Sequence, residues 1–254
     1  MISYNLDPGK KVYFLSDFHL GAPNKASSLI REKRVVAFLK EARKDAAHIF
    51  IVGDIFDFWF EYKQVVPKGY TRLLGQLADM SDEGITIHLF TGNHDMWMKG
   101  YFEAEFDAQV FYDPQEFQFN GKKFFIAHGD GLGPGDHRYK FLKAVFRNKI
   151  SQKLFGILAP NFGISLANFF SRKSRESTGN SDAIFLGEDK EWLIIFSKDT
   201  LQKTYYDYFI YGHRHLPMDL ALGGNSRYIN LGDWINYFSY AEFDGNDVAL
   251  KYYP

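Results

Sequence analysis

Five short segments carry residues able to hold metal ions or move protons, and each follows an apolar run. They are Leu15-Ser16-Asp17-Phe18-His19, Val52-Gly53-Asp54-Ile55-Phe56-Asp57, Thr91-Gly92-Asn93-His94-Asp95, Ala127-His128-Gly129-Asp130 and Tyr211-Gly212-His213-Arg214-His215. Carboxylate, imidazole and amide donors in one set suit Mn, Fe or Zn rather than a thiolate-loving metal. The chain has no cysteine to offer in any case. Two such ions can activate water, polarise a phosphoryl oxygen and stabilise a leaving oxygen. The spacing has a physical reading. Asp17 and His19 stand two apart, so on an extended segment both point the same way, and His213 and His215 repeat the device. Gly53, Gly92, Gly129 and Gly212 sit where a tight turn beside a ligand needs a permissive residue. A lone buried histidine is more often a core residue than a ligand. Here five of the eight histidines fall in these segments, and only His48, His88 and His137 do not. Those three read as ordinary residues.

The donors must be delivered by regular elements. Residues 11–16, 49–52 and 85–90 are short apolar runs that read as buried strands. Residues 27–44 and 70–82 place apolar side chains at helical spacing. This βαβαβ rhythm predicts an α/β sheet with helices packed on it. In such sheets ligands gather beyond the carboxyl ends of the strands, so segments distant in sequence can converge there. Residues 122–127 and 208–210 are also strand-like. Residues 227–230, 238–243 and 248–252 are short, aromatic and separated by turns, and read as strands of a second sheet.

The 254 residues, 46% of them apolar, suffice for one large domain with a sizeable core. A net charge of −1 argues against a protein that coats nucleic acid. The absence of cysteine excludes disulfides and fits a reducing compartment. Residues 1–10 hold no apolar stretch of signal-peptide length. No run approaches the roughly 18 apolar residues of a membrane span. The expectation is a soluble protein, or one that lies on a membrane.

Residues 131–180 stand apart. They carry nine Lys or Arg against two acids, a net +7, which leaves the remainder of the chain at −8. Phe141, Leu142, Val145, Phe146, Ile150, Leu154, Ile157 and Leu158 recur at helical spacing. Pro160 and Gly163 predict a break before a second helix over 164–170. A basic amphipathic helix pair fits an anionic ligand taken from a membrane surface. A solvated charged face, or contact with the acidic remainder, is the plainer alternative. The Phe and Leu content favours lipid over nucleic acid.

In this order, and over nearly the whole chain, the five segments resemble the calcineurin-like metallophosphoesterases. The resemblance implies a four-layer αββα sandwich of α/β class. It implies a single domain over residues 1–254, with 131–180 inserted as a basic helical lid. It also implies two divalent ions, Mn first, with Fe or Zn possible. Asp17, His19, Asp54 and His215 would hold one, and Asp54, Asn93, His128 and His213 the other, with Asp54 bridging. His94 would be the general acid and Asp57 the residue that orients it, while Asp95 and Asp130 would play supporting parts.

A finer resemblance is to the UDP-2,3-diacylglucosamine pyrophosphatases of lipid A synthesis. It rests on Ser16-Asp17-Phe18-His19-Leu20-Gly21, on Asp54-Ile55-Phe56-Asp57-Phe58-Trp59 and on the basic insertion between the fourth and fifth segments. It implies that a metal-bound hydroxide cleaves the pyrophosphate bond to give lipid X and UMP. Asn93, His94, Asp136, Tyr139, Ser174, Arg175 and His213 would touch the substrate, a nucleotide-linked acylated glucosamine. The setting would be cytoplasmic, peripheral on the cytoplasmic face of the inner membrane, with no nucleic-acid partner. One departure stands out: the best-known of these enzymes have arginine where this chain has His94, although histidine is the commoner residue in the wider family. Two alternatives are another phosphodiesterase or nucleotide pyrophosphatase on the same scaffold, and a metal-containing module that docks lipid or protein. All seven ligand positions are filled, which favours an enzyme.

Overall fold

The computed structural model describes residues 1–135, 137–178 and 184–254, with only the backbone described for Arg138 and for 174–178. Asp136 and the side chains of Ser174 and Arg175, expected at the substrate, therefore lie outside what is described.

Alternation along the strands builds the layers. In β2 (Lys11–Leu15), Val12 and Phe14 face one way and Tyr13 and Leu15 the other. This strand pairs in parallel with β3 (Ala46–Val52), which pairs in parallel with β4 (Thr86–Phe90). The crossovers are α1 (Lys25–Ala42) and α2 (Thr71–Asp82). Asn24 starts α1 by accepting from Ser27 N at 3.0 Å, which satisfies a donor the helix cannot satisfy itself. Val35, Phe38 and Leu39 of α1 and Leu73, Leu77 and Met80 of α2 cover Tyr13, Leu15, Ile49 and Ile51.

β1 (Ile2–Tyr4), β6 (Gln115–Phe119), β7 (Lys122–Ala127), β8 (Tyr208–Tyr211), β9 (Pro217–Gly223) and β10 (Ser226–Leu231) form the other sheet, in the order β1-β6-β7-β8-β10-β9. Between the sheets, Phe14, Phe50 and Val52 meet Phe117, Phe124, Ile126 and Ile210. On the far side, Leu193 and Ile194 of α7 (Trp192–Leu201) pack on Phe125, Phe209 and Tyr211. The layers run helix, sheet, sheet, helix.

Two strands expected in the second sheet belong to the first. β11 (Ser239–Phe243) and β12 (Val248–Tyr252) extend it, in the order β12-β11-β2-β3-β4-β5, where β5 is Gln109–Phe111. β11 lies antiparallel beside β2, Ala241 opposite Phe14, so Ala241 and Phe243 still reach the core between the sheets. A half-buried strand of this length fits either sheet by its pattern, and only the long-range pairing decides. A short helix, α3 (Tyr101–Phe106), precedes β5.

The insertion between β7 and α7 is three helices rather than two: α4 (His137–Arg147), α5 (Lys149–Ile157) and α6 (Pro160–Thr178). The added break falls at Asn148, whose side chain caps α5 by accepting from Ile150 N at 2.8 Å. The expected break is also present: α5 ends at Ile157, and Pro160 opens α6, a position where its missing N–H costs nothing. Trp97 Nε1 donates to Phe146 O at 2.7 Å, and the Phe155 ring packs on Phe58, Phe60 and Trp97. Much of the apolar face of the insertion has no such partner, with Phe141 72% and Ile157 74% exposed.

A buried ion pair fixes the last segment of donors. Arg214 lies between His213 and His215, is buried, and donates from Nε and Nη2 to the buried Glu191 carboxylate at 3.0 and 2.9 Å. Removing one partner strands the other charge. Glu191→Ala should therefore cost roughly 3–5 kcal/mol, read as a lower urea midpoint. An unchanged midpoint would show that the pair carries no stability.

Candidate metal centre

The sheets end together on one side of the molecule, and the donors stand just past those ends. Asp17 follows β2, Asp54 follows β3, Asn93 follows β4, His128 follows β7, and His213 and His215 follow β8. Asp17, His19 and His215 bring donor atoms within 4.8 Å of one another, and so do Asp54, His128 and His213. A third trio, His19, Asp54 and His94, joins them. His215 Nε2 lies 3.1 Å from His19 Nε2 and 3.3 Å from Asp17 Oδ1. Asp54 Oδ2 lies 3.6 Å from His19 Nε2 and 3.4 Å from His128 Nε2, so it faces both groups. Asn93 Oδ1 is 3.3 Å from His128 Nε2. All seven expected ligand residues thus stand in one place.

The route by which Asp17 and His19 meet differs from the extended segment expected. Asp17 and His19 have φ of 56° and 43°, Asp54 has 52° and His213 has 67°. Such left-handed conformations cost on the order of 1–3 kcal/mol each outside glycine, and they cluster at functional sites. Local bonds hold them. Asp17 N and His19 N donate to Gly53 O and Asp54 O at 3.1 and 2.9 Å. The buried Arg31 of α1 donates from Nη1 to Phe18 O and His19 O, both at 2.8 Å.

Hydrogen bonds behind the donors set which atoms face inward. His128 Nδ1 lies 2.8 Å from Val52 O, a bond only its N–H can make, which turns Nε2 toward Asn93 and Asp54. His215 Nδ1 lies 3.5 Å from Asp233 Oδ2. Asp95, fully buried, accepts from Ile55 N and Gly92 N and so ties two strand-end turns together. Asn230 donates to Gly212 O at 2.7 Å. Asp233 and Asn230 are additions to the sequence reading. The signal was present, since Leu231-Gly232-Asp233 after β10 has the same form as Val52-Gly53-Asp54 after β3.

The electrostatics ask for cations. Burial would raise the Asp17 and Asp54 carboxyls, but the neighbouring histidines hold both well below the usual carboxylate range. Burial works against charge on His128 too, yet Asp54, Asp17 and Asp130 carry it up to about 10. His215 is likewise held up at about 9 against burial by Asp17, Asp233 and Asp54. His19 goes the other way, lowered by burial to about 4. Two protonated imidazoles therefore balance two buried carboxylates. Among the described residues Asp17 Oδ1 is buried with no hydrogen bond, and its nearest nitrogen is His215 Nε2 at 3.3 Å. An orphaned carboxylate oxygen among imidazole nitrogens is what a divalent ion with N and O ligands requires. The residues fit such a group.

Among the described residues the insertion touches this site at two points. On α4, Tyr139 Oη donates to Asp130 Oδ2 at 2.5 Å, and Lys143 Nζ reaches the same carboxylate at 2.6 Å and the Asp130 carbonyl at 2.9 Å. On α6, Ser171 Oγ lies 2.9 Å from His94 Nδ1. His94 Nδ1 is 3.1 Å from the Asp57 carbonyl and 3.7 Å from its carboxylate, so the backbone of Asp57 makes the closer contact. Ser171 is a further addition. A single serine on a basic helix carries no sequence signal of such a contact.

A dinuclear donor set beyond the strand ends of an αββα sandwich defines a metal-dependent phosphoesterase. Residues 10–217 match the calcineurin-like phosphoesterase family, and the chain belongs to it. Members of that family use a dinuclear metal site. The chain is 40% identical over 253 residues to the UDP-2,3-diacylglucosamine hydrolase of Porphyromonas gingivalis, covering 95% of this chain and 97% of that one. It is 28% identical to the protein of the same name from Neisseria meningitidis serogroup B, covering 95% and 97%. For the Yersinia enterocolitica protein of that name the identity is 24%, covering 95% and 98%.

Gly92 tests the cradle. A Cβ there would lie on the Asp54 carboxylate and 2.6 Å from the Asp54 nitrogen. Gly92→Ala should push Asp54 out of place, and metal content by atomic absorption should fall below two ions per chain with the circular dichroism unchanged. Full metal content in the variant would contradict this geometry.

Proposed function

We propose that the protein hydrolyses the pyrophosphate bond of UDP-2,3-diacylglucosamine, with water adding across a P–O bond to give UMP and the acylated sugar phosphate, lipid X. The observation that carries the reading is a helical insertion that contacts Asp130 and His94 while leaving large apolar side chains exposed. A polar pyrophosphate beside the donors and acyl chains against the insertion would satisfy both halves. The names of the whole-length relatives point the same way.

In this reading Asp17, His19, Asp54 and His215 hold one ion, and Asp54, Asn93, His128 and His213 the other, with Mn the first metal to try. Two bound cations supply charge stabilisation and activation of water. His94 donates the proton to the leaving oxygen. Its Nδ1–H is engaged by the Asp57 carbonyl, which leaves Nε2–H for that role. In the same reading Asn93, His94, Tyr139 and His213 would meet phosphate oxygens, and residues 131–180 would act as a lid.

The substrate's acyl chains would bring the reaction to a bilayer, and the reading sets it on the cytoplasmic face of the inner membrane. No helix among the described residues is long and apolar enough to cross a membrane, so the contact would be peripheral. Phe141, Ile150, Leu154 and Ile157 are exposed on the same helices as Lys140, Lys149 and Lys153, a composition suited to an anionic surface.

Three outcomes test the reading. Purified protein with Mn should release UMP from UDP-2,3-diacylglucosamine, and His94→Ala should lower kcat about 10²–10⁴-fold with its metal retained. Turnover of simple phosphodiesters without this substrate would defeat the lipid assignment and spare the phosphoesterase. Phe141→Ser combined with Ile157→Ser should weaken co-sedimentation with anionic phospholipid vesicles, and unchanged sedimentation would remove the membrane role. Metal and protons should compete. The metal-free site keeps protons on His128 and His215 below pH of about 9–10, so Mn binding at pH 7.5 releases protons and tightens as pH rises. Calorimetry in buffers of different ionisation heat reads this directly, and a buffer-independent heat would refute it.

A further inference from the structure

Among the described side chains of α6, Ser171 enters the site. Ser171 Oγ donates to the Asp57 carbonyl at 3.1 Å and lies 2.9 Å from His94 Nδ1, while that Nδ1 lies 3.1 Å from the same carbonyl. Three elements thus close a triangle: the turn after β3, the loop after β4, and the third helix of the insertion. A serine hydroxyl has one proton and two lone pairs. With its proton on the Asp57 carbonyl, a lone pair remains to accept from Nδ1–H. Ser171 and Asp57 then share that proton and fix the plane of the ring.

The surroundings of Ser171 join this contact to the apolar face of the insertion. Phe169 and Phe170 immediately before it are each 60% exposed. Earlier in the helix, Gly163 packs against Tyr62 and Phe155, where a Cβ would not fit. α6 is therefore seated at its start on the wall of aromatic rings and meets the site two turns later at His94. Anything that lodges against its phenylalanines bears on the position of Ser171.

We propose that Ser171 is a positioning residue that makes proton donation by His94 depend on the seating of α6. This rests on the reading of His94 as general acid. Without the serine, His94 keeps the Asp57 carbonyl but loses the second contact that holds its ring, and Nε2–H is less well aimed at the leaving oxygen. The insertion then does more than hold a substrate: it completes the acid.

The test uses the full-length, Mn-loaded enzyme and two esters of UMP, one with phenol and one with p-nitrophenol as the leaving group. Phenol needs a proton as it departs, whereas p-nitrophenolate scarcely does. Ser171→Ala should lower kcat for the phenyl ester by about 10-fold or more, with KM and the p-nitrophenyl rate within about 2-fold of the parent. Ser171→Thr should restore the phenyl rate. In the His94→Ala background, Ser171→Ala should cost nothing further, because the two act as one unit. Equal slowing of both esters, a change confined to KM, or losses that multiply with His94→Ala would each overturn the proposal. If His94→Ala itself failed to discriminate between the esters, the general-acid reading would fall and this inference with it. Discrimination by His94→Ala without discrimination by Ser171→Ala would overturn the inference alone.

Discussion

Two carboxylates, Asp17 and Asp54, end adjacent strands and are shut away from water, at 0% and 1% exposure. Burying an ionised carboxylate without compensation is prohibitive, and burying two side by side is worse. The rest of the site answers that demand. Backbone amides donate to both, His213 N to Asp17 Oδ2 and His94 N to Asp54 Oδ1, each at 2.9 Å. Imidazoles crowd round them, and two of these hold protons far above their ordinary range. Left-handed backbone at Asp17, His19, Asp54 and His213 is tolerated so that these groups can meet. A protein does not assemble this much unfavourable geometry for stability alone. Divalent cations relieve it, and the same cations are what phosphoester chemistry needs.

The fold makes the arrangement possible by bringing two sheets to one edge. Parallel β2, β3 and β4 present one set of strand ends, and β7 and β8 of the facing sheet present the other. The phenylalanine-rich interface between the sheets holds those ends at a fixed separation. The insertion then leaves from the end of β7, one residue group beyond His128, and returns through α7 to β8. Among the described residues its helices meet the metal end of the molecule at Asp130 and His94 and the aromatic wall at Trp97 and Phe60, and they turn both apolar and basic side chains to solvent.

Much of this was legible in the sequence because the donors are local. Each sits in a motif of strand, turn and donor that is complete within about six residues; the family resemblance picks seven of those residues as ligands, and the structure gathers them together. The elements β7 and β12 fall where the apolar pattern puts them. Features that depend on distant partners were not legible. β11 and β12 carry no mark of which sheet they join, since the choice is made by pairing with β2. The helix break at Asn148 was hidden because apolar spacing continues across it, from Val145 and Phe146 to Ile150. The turn that brings Asp17 to His19 imitates the two-residue spacing of an extended strand, so the spacing suggested the right neighbours by the wrong route. Ser171 was invisible, because its importance comes from a fold that lays α6 over His94.

The buried carboxylates should be held by two divalent ions that share Asp54. Crystals grown with Mn, measured at a wavelength where manganese scatters anomalously, address this without recourse to activity. Two peaks should appear on either side of Asp54, one in contact with Asp17, His19 and His215 and the other with Asn93, His128 and His213. A single peak, or two peaks that do not share Asp54, would contradict the account.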